Sequence, residues 1–292
     1  MPRRFVVACT LASCTVLMPY TAVASGTAAS SPPSASEHWC KTITPQLPAV
    51  SEQDCLRLYL APSGAYSVKR IPLMTRFFSA KAGNPNALRI LLLGGIHGDE
   101  QTSSAITFKW MEKLLRNGPG EFQWKVAPVV NPDGLLAKPA TRVNANGIDL
   151  NRNFPTPEWQ KEAEDYWVRT TKRDPRRFPG KQPVSEPESR WVNEEIERYK
   201  PHVIISVHAP YGVLDFDGPA EPPVRFGRLI YNRVGVYPGS LGNYSGLHKD
   251  IPVVTIELPN ARQMPSDDEI NRIWDDMQQW IRKNLSKASV KD

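Results

Sequence analysis

Hydrophobic positions along this chain fall into short solid runs, set between longer stretches where apolar residues recur at helical spacing. The runs over 88–93, 124–130, 202–207 and 253–256 are bounded by Gly, Pro or Asn. Nearly continuous apolar runs of that length read as strands covered on both faces. Between them, 102–115 carries Ile106, Trp110 and Leu114 at helical spacing, and 158–171, 185–199 and 224–234 also read as helices. The final helix buries a stripe of Ile270, Ile273, Trp274, Met277, Ile281 and Leu285. Ser185 with Glu188, and Ser266 with Glu269, have the spacing of capping boxes. An extended piece over 66–78 and a turn at Gly83-Asn84-Pro85-Asn86 precede the first strong strand. Strands alternating with helices predict an α/β fold, a single three-layer α/β/α domain around a mixed, mainly parallel central sheet. In such sheets binding groups gather at the carboxyl ends of strands. His97, His208 and Glu257 all stand at such ends.

The N-terminus follows a different pattern. Met1-Pro2-Arg3-Arg4 is basic, 5–23 is apolar, and Ala22-Val23-Ala24 before Ser25 has the form of a cleavage site. The expectation is an export signal over 1–24. An uncleaved anchor is the first alternative. A lipobox at Leu11-Ala12-Ser13-Cys14 ranks last, because it sits early and the apolar run continues past it. Residues 25–37 read as a flexible Ser/Ala/Gly/Pro linker. Cys9 and Cys14 leave with the signal, so Cys40 and Cys55 remain as an even pair. In an oxidising compartment such a pair forms a disulfide. It would close a small segment over 38–65 and contribute roughly 3 kcal/mol in the loop-entropy model. The rest, 66–292, is the expected catalytic domain. The expected location is therefore the periplasm or outside the cell, with no stable membrane insertion after cleavage.

Composition narrows the function classes. A chain of 292 residues with 40% hydrophobic content has ample core. The formal net charge of +6 includes Arg3 and Arg4, and the remainder is too weak and scattered to argue for nucleic acid. The basic stretch holding Arg169, Lys172, Arg173, Arg176, Arg177 and Lys181 reads as a solvated face. No dinucleotide fingerprint, P-loop, G-x-S-x-G or H-E-x-x-H is present.

The candidate chemistry begins at Gly94-Gly95-Ile96-His97-Gly98-Asp99-Glu100. A strand that stops at two glycines and then offers an imidazole and a carboxylate suits a divalent ion, and the plainer alternative is that both residues cap the next helix. A catalytic zinc takes three protein ligands and keeps one position open. His208 is the natural third. A histidine closing an apolar strand is by itself more often a packed core residue, and only the combination with His97 and Glu100 reverses that. His38, His202 and His248 are assigned no role beyond structure.

The ordered set His97-x-x-Glu100, Asn131-Pro132-Asp133-Gly134, Arg142-x-Asn144-x-Asn146-Gly147-x-Asp149-Leu150-Asn151-Arg152-Asn153-Phe154-Pro155, Ser185-Glu186-Pro187-Glu188, His208 and Thr255-x-Glu257 resembles the zinc carboxypeptidases of the M14 type. Within them it is most similar to the murein peptide amidase (MpaA-like) branch. The resemblance spans about 88–257 and implies a zinc carboxypeptidase-like fold. It also implies one Zn2+ ion on His97, Glu100 and His208, with Glu257 as general base and acid. Arg142 would steady the oxyanion, while Asn151 and Arg152 would grip the substrate's free C-terminal carboxylate. Asp149 would orient backbone or a ligand histidine. From the loop over 239–244, Tyr244 is preferred to Tyr237 as the tyrosine over the site. Asp217 is read as the group that meets the free amino end of meso-diaminopimelate, with a turn-forming Asp-Gly as an equal alternative.

The function expected from this resemblance is an exported zinc metallopeptidase. It would hydrolyse the amide before a C-terminal amino acid, γ-D-Glu–meso-diaminopimelate in murein peptides. The alternatives are a zinc deacylase of small N-acyl amino acids and a general metallocarboxypeptidase. A catalytically dead murein-binding module would need a ligand or Glu257 to be missing, and none is.

Overall fold

The computed structural model describes residues 1–2, 34–81 and 84–285, and Pro33–Asp292 form one unit. The expected export signal, its lipobox alternative and most of the linker lie outside the described residues. In chain order the elements are α1 (Ala35–Ile43), α2 (Glu52–Arg57), β1 (Ala61–Tyr66), β2 (Pro72–Phe78), β3 (Arg89–Leu93) and α3 (Gln101–Asn117). Then come β4 (Gln123–Ala127), α4 (Pro132–Leu136), α5 (Trp159–Arg169), α6 (Pro187–Tyr199), β5 (Val203–His208) and β6 (Val213–Asp217). The chain closes with β7 (Arg225–Phe226), β8 (Leu229–Tyr231), β9 (Val253–Glu257) and α7 (Asp267–Leu285).

Alternation along the apolar strands produces the layering. Ile90 and Leu92 of β3, with Val203, Ile205 and Val207 of β5, enter a core shared with α3 and α7. Leu91, Leu93 and Ile204 point the other way, onto Trp191, Val192 and Ile196 of α6. A strand that feeds two cores has no polar face to show, which is why these runs contain few polar residues. Among the described residues the sheet order is β1-β2-β4-β3-β5-β9-β6-β8-β7. The four central strands, β4, β3, β5 and β9, are mutually parallel. β2 and β6 flank them antiparallel.

Several expectations are corrected. The stretch 224–234 is a β-hairpin, not a helix. Gly227 turns the chain at φ +54, and α7 holds the turn: Asp276 Oδ2 accepts from Gly227 N–H (2.7 Å) and Glu269 Oε1 from Arg228 N–H (2.6 Å). Ser185 does not cap α6. Glu186 occupies the N-cap position with Pro187 behind it, and Ser185 Oγ donates to Glu186 Oε1 (2.8 Å). Ser266 Oγ does accept from Glu269 N–H (3.3 Å), while the Glu269 carboxylate turns to Arg228 and Arg272.

The expected boundary after residue 65 falls inside β1, and the N-terminal segment belongs to the main core. Trp39 stacks on Phe108 of α3 at 6.4 Å between ring centroids. Cys40 and Cys55 form the disulfide, joining α1 to α2 with Cα atoms 5.7 Å apart. No described helix is long and apolar enough to cross a membrane.

Candidate active site

The parallel strands deliver their last residues to one end of the sheet. His208 and Glu257 are register partners at the ends of β5 and β9. β3 supplies the third arm through its glycine exit. A Cβ on Gly98 would sit 2.1 Å from the Gly134 carbonyl carbon, so only glycine lets this turn lie against α4. Asn131 caps α4, accepting from Gly134 N–H (2.8 Å), and thereby fixes the surface on which the turn rests.

His97, Glu100 and His208 converge there, with their ligand atoms within 4.8 Å of one another. His97 Nδ1 stands 2.8 Å from Glu100 Oε1, and His208 Nδ1 lies 3.0 Å from Glu100 Oε2 and 3.1 Å from His97 Nδ1. The outer ring nitrogens are held elsewhere. His97 Nε2 meets Asp149 Oδ1 (3.1 Å), and His208 Nε2 meets Ser206 Oγ (2.9 Å). A carboxylate on Nε2 fixes the proton there and turns the Nδ1 lone pair inward. Two imidazole nitrogens and a carboxylate gathered at such distances could share one cation. The donor set is that of a zinc site with two histidines and one glutamate. His97 and His208 hold Glu100 below the ordinary carboxylate range despite its burial. Burial lowers the pKa of His208, opposed by Glu100.

Arg142 faces the same cluster. Its Nε donates to Asp149 Oδ2 (3.0 Å), and its Nη1 points at His97 Nδ1 (3.1 Å) and Glu100 Oε1 (3.3 Å). Burial would raise the pKa of Asp149, but Arg142 and His97 hold it well below the usual range, so it remains a fixed anion behind His97. Glu257 is 7% exposed, and its Oε2 is buried with no hydrogen-bond partner. Burial, reinforced by the Glu100 charge, pushes its pKa up to about 7 against the pull of His97, the Tyr211 N–H and Arg142.

His97, Glu100, Arg142, His208 and Glu257 line a cleft of about 360 Å³ that also takes in Asn151, Arg152, Asp215, Asp217 and Tyr237. Leu241 N–H donates to Asn151 Oδ1 (2.8 Å), which orients that amide. Arg152 stacks over Tyr237, its guanidinium carbon 4.4 Å from the ring centroid. Its Nη1 donates to Asn151 O (2.6 Å), and its Nε is buried without a partner. Burial lowers the pKa of Arg152, opposed by Asp149 and reinforced by Arg142 and Arg177. Asp217 is 5% exposed, its Oδ1 accepts no hydrogen bond but lies 4.0 Å from Arg233 Nη2, and burial beside Asp215 pushes it up to about 6 against the pull of Arg233.

Of the two candidate tyrosines, the structure puts Tyr237 and not the preferred Tyr244 on the cleft wall. Tyr244 does not line the cleft. It stacks on Phe154 (6.0 Å) in the α6-side core, and its hydroxyl donates to Glu197 Oε1 (3.2 Å). Tyr237 lines the wall instead, because the loop bends inward at Gly239, against the Arg152 carbonyl. Arg177, read as part of a solvated face, also lines the cleft with Tyr166, Thr170, Thr171 and Asp174. Its neighbour Arg176 pairs with Asp99 Oδ2 (2.8 Å) on the histidine turn. Only the Asp99 charge between two ligands hinted at such a partner.

The remaining motif residues brace the site from behind. Asp133 accepts from Ser67 Oγ (2.7 Å) and Lys69 N–H (2.9 Å). Asn144 Nδ2 donates to Glu186 (2.7 Å) and Glu188 (3.1 Å), and Asn146 Nδ2 donates to Glu186 (2.8 Å). His202 Nδ1 accepts from Arg89 N–H (2.9 Å) at the far end of β5, a purely structural role.

The zinc carboxypeptidase family model matches residues 64–215. The chain is 37% identical over 176 residues to murein peptide amidase A of Escherichia coli strain K12, covering 58% of this chain and 70% of that one. It is 33% identical over 203 residues to the protein of the same name in Vibrio campbellii, covering 66% of this chain and 77% of that one. Among solved structures, carboxypeptidase A from Helicoverpa armigera aligns with TM-score 0.63 at 15% identity, over 88% of this chain and 81% of that one. Murein-tripeptide amidase MpaA from Escherichia coli O157 aligns with TM-score 0.51 at 22% identity, over 76% and 97%. These two share the fold. Matching motifs, a shared fold and a convergent His-Glu-His cluster lead to one assignment: this chain belongs to the zinc carboxypeptidase family and is a hydrolase of the metallopeptidase kind.

Proposed function

We propose that this protein removes the C-terminal amino acid from murein peptides, cutting the γ-D-Glu–meso-diaminopimelate amide with one zinc ion held by His97, Glu100 and His208. The observation that carries the reading is the convergence of those three ligands within 4.8 Å, in a cleft shared with the buried, unpaired Oε2 of Glu257. Relatives named murein peptide amidase A support the substrate class. The buried Asp217 carboxylate, whose Oδ1 accepts no hydrogen bond, supports an amino group on the leaving residue.

Bound zinc supplies Lewis-acid polarisation and a water that ionises near neutral pH. Arg152 and the Asn151 amide receive the substrate's terminal carboxylate, a planar fork meeting a planar anion. Arg142, tethered by Asp149, offers its N–H groups to the oxygen that gains charge as the carbonyl is attacked. Glu257 takes a proton from the attacking water on Oε2 and delivers it to the leaving nitrogen. Its Oε2 has no hydrogen-bond partner, which leaves it able to accept and then release that proton. Asp217 pairs with the distal ammonium. Action outside the cytosol is part of the proposal, supported by the Cys40–Cys55 disulfide and by the signal-like N-terminus.

Mass spectrometry of products from L-Ala-γ-D-Glu-meso-diaminopimelate tests this reading. Free diaminopimelate should appear, disappear with chelator and return with added zinc. Release from ordinary C-terminal peptides or small N-acyl amino acids, with the tripeptide left intact, would overturn it.

A further inference from the structure

One corner of the cleft gathers positive charge that nearby carboxylates do not engage closely. Arg142 already faces carboxylates, with Asp149 at 3.0 Å and Glu100 at 3.3 Å. Arg152, 4% exposed, is placed differently: its Nη1 donates to the Asn151 carbonyl (2.6 Å), and its Nε is buried with no hydrogen-bond partner. Arg177 lines the same cleft, its side chain 33% exposed. Asp174 Oδ2 lies 3.8 Å from its Nε, beyond hydrogen-bond length, while Asp174 Oδ1 accepts from Arg176 N–H (2.9 Å).

Arg177 belongs to the Arg152 corner by chain path and by charge. Its successor Phe178 offers a carbonyl to Asp149 N–H (2.8 Å), at the start of the turn that carries Asn151 and Arg152. Its predecessor Arg176 pairs with Asp99 Oδ2 (2.8 Å). The segment is thus tethered on both sides of Arg177, which lowers the ordering cost of holding a guanidinium there. Tyr237 lies under Arg152, 4.4 Å from ring centroid to guanidinium carbon, and meets Tyr166 edge-on at 5.8 Å; both rings line the cleft with Arg177. Burial raises the pKa of Tyr237, and the charges of Arg152 and Arg177 both oppose that rise. Burial lowers the pKa of Arg152, against Asp149 and with Arg142 and Arg177. The two guanidinium groups therefore lie within reach of each other's charge.

Two guanidinium groups that line one space, neither hydrogen-bonded to a carboxylate of the protein, can share one anion. A carboxylate has two oxygens and about four acceptor positions, more than one arginine fork and one amide fill. We infer that Arg177 is a second guanidinium on the substrate's terminal carboxylate, binding it jointly with Arg152. This rests on the proposed function and adds to it a binding residue from outside the run 142–155. A charge-assisted contact of this kind is worth about tenfold in affinity. Because the terminal carboxylate does not change during the reaction, the contribution falls on binding and is read in KM.

The tripeptide L-Ala-γ-D-Glu-meso-diaminopimelate carries a glutamyl α-carboxylate, the terminal carboxylate and another at the far end of the diaminopimelyl side chain. The test amidates each in turn and compares wild type, Arg177→Gln and Arg177→Lys. The readout is KM where a peptide is cut, and the inhibition constant against the parent tripeptide where it is not. Arg177→Gln should weaken the parent about tenfold, in KM with kcat little changed, and Arg177→Lys should recover part of the loss. The glutamyl and far-end amides should be weakened as much as the parent. The terminal amide should be weakened far less, because it already lacks the charge that Arg177 meets. A loss that vanishes with either of the other amides places Arg177 elsewhere and overturns the inference. So does equal weakening of all the peptides, the mark of a structural role, or no weakening of any. Each of these outcomes leaves the proposed function standing. Wild-type enzyme that cuts none of the peptides overturns the proposed function, and this inference with it.

Discussion

A carboxylate at the end of a buried strand is costly to leave charged, and Glu257 carries that cost visibly. Burial pushes it up to about 7, and no side chain or backbone donor reaches its Oε2. A residue serving only the fold would be paired or replaced by an apolar side chain. Glu257→Gln keeps the shape and removes the proton transfer, so kcat/KM should fall by about 10²–10⁴ with zinc content unchanged. Steady-state kinetics alongside metal analysis checks this, and a variant retaining most of its activity would remove Glu257 from the chemistry. At this scale the sequence was informative wherever a residue's role follows from its own strand. His208 and Glu257 sit where apolar runs end, and His97-x-x-Glu100 follows a glycine break. Tyr237 and Tyr244 could not be ranked that way, since the path of an irregular loop is set by what it packs against.

At the scale of elements, the N-terminus of α6 is the brace behind the cleft. Glu188 is buried there, accepting from Val68 N–H (3.0 Å) and Asn144 Nδ2 (3.1 Å), and burial pushes its pKa up to about 7. The folded protein thus holds this proton more tightly than the unfolded chain, whose value is 4.5. Stability from this group is fully present below about pH 4.5, falls as pH rises, and reaches its full cost above about pH 7, a loss of about 3 kcal/mol. Denaturant unfolding of Glu188→Gln should therefore lose less stability between pH 5 and pH 8 than wild type does. The pH slope is the relevant readout, because the amide also alters the contact with Asn144. Equal slopes would show that Glu188 titrates normally. The Ser185-Glu186-Pro187-Glu188 run was legible as a helix start, but not as a brace. A capping box satisfies its own helix, whereas these carboxylates bind a strand turn and a loop that are distant in sequence.

For the whole molecule, the Cys40–Cys55 bridge binds α1 to α2 and so ties Trp39 and Ile43 to the α3–α7 core. Replacing both cysteines by serine should cost about 2–5 kcal/mol and lower Tm, with the cleft chemistry preserved below the transition. Calorimetry with and without reductant checks this, and an unchanged Tm would mean that the N-terminal layer is held by packing alone. Layer order was readable from the alternation of apolar runs and amphipathic stretches. The edge strands were not. β7 and β8 are only two and three residues long, and 224–234 has enough apolar residues to pass for a helix until the carboxylates of α7 capture its turn.

The amino-acid sequence alone determined the class of fold and named the histidines and the glutamate, His97, Glu100 and His208, that the structure brings together. Each of these depends on local periodicity or on residue type at short spacing. Tertiary structure decided which loop residues face the cleft. It brought Arg177 and Tyr237 in, sent Tyr244 to the core and buried Asp217 in the cleft wall. The physical reason is that a loop side chain's direction is fixed by contacts with segments far away in the chain, and no local pattern encodes those contacts.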